Sequence, residues 1–196
     1  MAKSKAADRR IADPDPGAPT ATRLEPVGGT PSERADWGRS LRDDVPRSAW
    51  ARWTPSPARP EAVELLLSQS AVRNQDLVPI RHGRMLESPF AFYRGAALVM
   101  AADLARTPSS GIYVQACGDA HLSNFGMFAT PERVLAFDIN DFDESHPAPF
   151  EWDVARLAVS AVIAADEIGL RPGAGVELAR TAARRYREQV RALSTQ

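Results

Sequence analysis

The chain has 196 residues, 44% of them apolar, with 24 basic and 25 acidic side chains and a formal net charge of -1. Such a length carries one domain with a proper core plus a flexible tail, and so even a charge balance gives no global field for nucleic acid or an anionic membrane. The single cysteine, Cys117, excludes an intrachain disulfide and a four-cysteine zinc site.

No apolar run after Met1 resembles a signal peptide, and no stretch approaches the roughly 20 apolar residues that cross a bilayer. A soluble cytoplasmic protein is the expectation. Prolines crowd the first third, from Pro14 to Pro60, among glycines and charges. A segment of that kind buries too little apolar area to offset its ordering entropy. Residues 1–35 therefore read as a disordered tail. Trp37, Trp50 and Trp53 make residues 36–59 an irregular arm draped on the domain, or alternatively a partner-binding arm.

Residues 60–196 read as the folded part. Pro60 opens a helix over Glu61 to Ser70, with Val63, Leu66 and Leu67 on one stripe. Asn74 to Pro79 breaks it. Ser88-Pro89 caps a second helix, Phe90 to Arg106. Ile112 to Cys117 is a buried strand and Gly118 to Asn124 a polar loop. Phe125 to Ala129 and Val134 to Ile139 are strands around a turn, and Asn140 to Pro149 is a loop. Helices follow over Phe150 to Ile168 and Val176 to Leu193, the last with a basic outer face. The fold class is α+β: mostly helical, with a short β-hairpin that carries two polar loops.

Those loops hold the candidate chemistry. Asp119 and Asn124 are spaced D-x-x-x-x-N, with His121 between them. Phosphoryl transfer needs a carboxylate to orient an attacking hydroxyl and oxygen ligands for magnesium. Asp119 and Asn124 are residues of those kinds, although Asx turns that staple a loop would use the same ones. Asp138, Asn140, Asp141, Asp143 and Glu144 then crowd one strand end, where they must be solvated or bound to a cation. Arg81, Arg84 and Arg94 either grip phosphate or neutralise these carboxylates. His121 orients a substrate or bonds within its loop. Cys117 reads as an inert buried thiol.

Cys117 to Asn124 resembles the H-G-D-x-H-x-x-N catalytic loop of aminoglycoside phosphotransferases and choline-kinase-like enzymes, with cysteine in place of the usual first histidine. Asp141-Phe142-Asp143 resembles their metal motif, and Phe150 to Ala155 the helix that follows it. From Arg39 to Gln196 the chain is closer still to the bacterial domain-of-unknown-function 2252 family, through Val78 to Met85, Ser88 to Gly95, Cys117 to Gly126 and Asp138 to Arg156.

The resemblance implies a kinase-like C-lobe. It makes Asp119 the catalytic base, gives magnesium to Asn124, Asp141 and Asp143, and has Asp153 brace the catalytic loop. Asp138, His121, Arg81, Arg84 and Arg94 would support the site. ATP or another nucleoside triphosphate would be the donor, the acceptor being open. The family's nucleotide-clamping lobe would follow this region, so the chain is expected to be the front part of a longer or permuted protein, or a truncated copy. Its uncovered surface would then favour self-association. The alternatives are a metal-dependent phosphohydrolase and a non-catalytic interaction module.

Overall fold

The computed structural model describes residues 29–51 and 53–194. Of the disordered tail expected over residues 1–35, residues 1–28 lie outside them, and residues 31–35 are helical instead. The described chain is α+β, with seven α-helices and two separate two-stranded antiparallel sheets.

The first helix, α1 (Pro31–Asp44), replaces the irregular chain predicted there. Its start is a capping box. Thr30 accepts from the Glu33 amide while the Glu33 carboxylate accepts from the Thr30 amide, with Pro31 at the first helical position. The arm around Trp50 and Trp53 runs on to α2 (Ala62–Ser70). Arg59 pins it to Asp103 through bonds of 2.6 and 2.9 Å, and Arg106 donates to the Ala58 carbonyl. Trp50, Trp53, Phe92, Tyr93 and Met100 line an apolar pocket of about 480 Å³ beneath this arm.

A helix that the sequence reading leaves out follows, α3 (Val78–Met85), with proline in its first turn, where a missing N–H costs nothing. The single helix predicted from Phe90 to Arg106 is two, α4 (Pro89–Gly95) and α5 (Ala97–Leu104). Two contacts lie at the break. A Cβ on Gly95 would lie 2.6 Å from the Met85 side chain, so any larger residue there makes Met85 shift. The Gly95 carbonyl accepts from Arg81 Nη2 at 2.7 Å, a cation on the last turn of α4. Leu66, Met85, Ala96 and Val99 form the small apolar core over this junction.

Strand β1 (Tyr113–Ala116) pairs with β4 (His146–Pro149), which falls in the predicted loop. Only Ala116 of β1 is buried, so the expectation of a buried strand fails. The hairpin is β2 (Phe125–Ala129) with β3 (Leu135–Ile139), in register from Phe125↔Ile139 to Ala129↔Leu135. The chain then enters α6 (Phe150–Glu167) and α7 (Ala174–Leu193). A Cβ on Gly175 would meet the Val162 backbone at 2.8 Å, so the two helices approach closely here. Among the described residues, no helix is long and apolar enough to cross a membrane.

Candidate functional site

The loop from Cys117 to Asn124 is held from below by one stripe of α6. Asp153, Arg156 and Ser160 fall at i, i+3 and i+7, one face of a helix. The Asp153 carboxylate accepts from the backbone amides of Cys117 (2.7 Å) and Gly118 (3.1 Å). Ser160, fully buried, accepts from the Leu122 amide at 3.1 Å. Between them, Arg156 donates Nε to Asp119 Oδ1 at 2.8 Å, and its Nη2 binds the same oxygen.

Arg156 is the largest fully buried side chain among the described residues, 2% exposed. A buried guanidinium survives only if it is paired and hydrogen-bonded. Its further contacts are the Tyr93 carbonyl at 3.0 Å, the Tyr93 ring at 4.5 Å and the Met100 sulfur at 3.9 Å. The Tyr93 hydroxyl returns a bond to the Arg156 carbonyl at 2.8 Å, and burial raises the phenol's pKa.

Asp119 is thus an ionised carboxylate held in place. Burial opposes its charge, but the His121 hydrogen bond and the Arg156 charge outweigh that and hold the carboxyl below its ordinary value of 3.8. His121 Nε2 stands 3.4 Å from Asp119 Oδ2, and its ring meets Phe90 edge-on at 6.3 Å. The ring is 5% exposed, and Nδ1 is buried with no hydrogen-bond partner. Burial pushes the Cys117 thiol up, toward the inert form.

Two contacts join this loop to the acidic one. Gly118 sits at φ +76°, and a Cβ there would come within 2.1 Å of the Glu144 carbonyl oxygen. The buried amide of Asn124 spans the gap. Oδ1 accepts from the Asp141 amide at 2.9 Å, while Nδ2 donates to the Asp141 carbonyl at 3.0 Å and the Asp119 carbonyl at 3.1 Å. Asn124 therefore staples the loops. One lone pair stays on its oxygen, so a metal contact is compatible with the staple.

The result is a cleft of about 820 Å³. Asp119, His121, Asn124, Asp141 and Asp143 line it from the loops, and Arg81, Arg84 and Arg94 from α3 and α4. Asp138 does not line it; this carboxylate accepts from the Ile139 amide on the exposed hairpin. Asp153 lies beneath the loop. Asp141 Oδ1 accepts from the Asp143 amide at 3.0 Å, an Asx turn that leaves its second oxygen out of the pairing. Among the described residues, no three or more His, Cys, Asp or Glu side chains converge as a metal cage. Magnesium does not require one. It is commonly held by one or two carboxylates, with water and substrate phosphate completing the shell, and the hard oxygens of Asp141 and Asp143 fit that pattern.

The arginines divide. Arg81 is committed to the Gly95 carbonyl, and Arg73, absent from the sequence-predicted site, reaches Glu144 at 3.4 Å. Arg156 is also absent from that site. The three-residue step from Asp153 was the signal for it, since a helix turns both side chains to the same loop.

The cleft defines a protein with two stapled polar loops facing an arginine-bearing helix pair. The chain belongs to the family described as an uncharacterized protein conserved in bacteria (DUF2252), whose model matches residues 73–196. That stretch includes all the cleft residues named above. No curated protein and no solved structure matches the chain.

Proposed function

We propose that the cleft is the metal and acid/base part of a kinase-like phosphotransferase site. One observation carries this reading: Asn124 bonds the main chains at both Asp119 and Asp141, and so delivers to one cleft the two carboxylates that phosphoryl transfer needs. The Asp119 carboxylate spends Oδ1 on Arg156. Oδ2 is then the atom that accepts from an acceptor hydroxyl and aims its oxygen. The lowered pKa makes Asp119 an orienting group first and a proton acceptor only late, as the new bond forms. His121 at 3.4 Å limits the rotation of that carboxylate.

Asp141 and Asp143 would hold magnesium, with Asn124 contributing through its free lone pair. The ion, when bound, neutralises phosphate charge. ATP or another nucleoside triphosphate is the proposed donor. The helices around the loops correspond in this reading to a kinase-like C-lobe, in a cytoplasmic enzyme.

The test is nucleoside triphosphate turnover by the purified chain with magnesium and hydroxylated acceptors. Activity abolished in Asp141→Ala and Asp119→Asn, both still folded, is the expected outcome. Phosphate-ester hydrolysis without nucleotide, lost in Asp141→Ala, would replace this reading with a metal-dependent phosphohydrolase.

An interaction module is favoured by a different observation. One face of the hairpin carries Phe125, Met127, Leu135 and Phe137, and the last three are more than half exposed. Apolar faces of this kind are normally covered. Concentration-dependent association, abolished in Leu135→Ser/Phe137→Ser without loss of fold, would support a second copy as the cover.

A further inference from the structure

We propose that Arg84 and Arg94 form an oxyanion subsite that grips a phosphate group of a small-molecule ligand in the cleft. The inference deepens the phosphotransferase reading and rests on it for the class of anion. Four arginines line the cleft, and their bonding separates them. Arg81 donates to the Gly95 carbonyl and to Gln69 Oε1. Burial first, then the Arg73 charge, lowers its pKa, so one more cation nearby is already unfavourable. Arg73 leans on Glu144. Arg84 and Arg94 have neither an ion pair nor a side-chain hydrogen bond among the described residues.

Neutralising the acidic loop does not account for them. Asp141 and Asp143 line the same cleft and neither arginine pairs with them. Glu87 lies three residues from Arg84 on the cleft wall and is likewise unpaired with it. Two unpaired guanidinium groups and two carboxylates with no cationic partner among the described residues are complementary, around one cavity, to an anion that also brings a cation. A phosphate or pyrophosphate group with a divalent ion has that character, and guanidinium groups bind it through paired N–H donors. The cavity is within the size range of small-molecule sites.

The packing holds the two arginines on one wall. Arg84 and Arg94 each precede a residue of the α3–α4 contact, Met85 and Gly95, where a side chain on Gly95 would push Met85 aside. The Arg81 bond to Gly95 fixes the same junction.

Titration of the full chain with inorganic pyrophosphate, without metal, at constant ionic strength, tests the subsite by calorimetry and thermal shift. Saturable binding is expected, about tenfold weaker for each arginine removed and nearly lost in Arg84→Ala/Arg94→Ala. Arg180→Ala/Arg187→Ala on α7 should bind as wild type. Should the alanine pair unfold, Arg84→Lys/Arg94→Lys keeps the charges and still loses the forks, and weaker binding is again expected. Equal binding by the variants, or no saturable binding by wild type, overturns the proposal. Pyrophosphate bound by a chain with no transferase activity would keep the subsite and discard the phosphotransferase. Transfer with an unchanged KM in the arginine variants would do the reverse.

Discussion

Arg156 of α6 and Asp119 of the polar loop form an ion pair in which the guanidinium is almost wholly buried and the carboxylate faces the cleft. The pair joins fold to site. The cation organises Tyr93 and Met100 around it, and the anion is the group proposed to meet a substrate hydroxyl.

Removing one partner should therefore cost stability as well as activity. Asp119→Ala leaves a buried charge unpaired, a loss of about 3–5 kcal/mol. Replacing both partners with apolar residues, Asp119→Leu/Arg156→Met, should cost less than the sum of the single changes. Denaturant unfolding of wild type, Asp119→Leu, Arg156→Met and the double variant measures this coupling.

Acid should weaken the same pair. The carboxyl titrates below its ordinary 3.8 in the folded state, so its stabilisation is fully present above about pH 4. It is lost as pH falls through the folded value. Unfolding free energy measured from pH 6 downward should decline less steeply at the acid end in Asp119→Asn than in wild type.

Gly118→Ala should separate the two loops. The left-handed backbone strains any side chain there, and the new methyl would overlap the Glu144 carbonyl, which is main chain and has little room to yield. About 2 kcal/mol or more of stability should be lost. Amide exchange near Asp141 should quicken in the variant while α7 keeps its protection.

Asn124→Ala should unfasten the same loops by another route. Two carbonyls and one amide lose their partner, each worth about 1 kcal/mol or more where water cannot replace it. Exchange at the Asp141 amide, which Asn124 Oδ1 now protects, is the direct readout. An unchanged rate there would refute the staple.

The arm should release when its ion pair is cut. Asp103→Ala removes both bonds to Arg59. A part-exposed pair of this kind contributes little to global stability. Global stability should hardly move, while tryptophan emission shifts to the red and proteolysis between Trp53 and Pro60 becomes faster.

Much of the helical framework was legible because its signals are local. Ser88-Pro89 capped a helix where one starts, and the helix expected over Phe150 to Ile168 is α6. Helix α1 was equally local in origin, since Thr30, Pro31 and Glu33 make a capping box. Its prolines and charges read instead as loose chain. The break between α4 and α5 was not legible; it falls where Gly95 meets Met85 of α3, a neighbour outside the local sequence. Strand β4 was hidden for a similar reason. Two of its four residues are prolines, and only pairing with β1 makes them a strand.

For the site, the sequence by itself determined which groups are present: Asp119, Asn124, Asp141 and Asp143 at spacings that suit phosphoryl transfer, within a family that spans residues 73–196. Only the tertiary structure decided how those groups are used. It put Arg156 under Asp119, turned Asn124 into the staple between the loops, kept Asp138 off the cleft and left Arg84 and Arg94 unpaired among the described residues. The physical reason is distance along the chain. Residue type and spacing set what a side chain can bond, but the partner that satisfies it here lies 17 residues away for Asn124 and 37 for Asp119. Burial then makes each such bond obligatory.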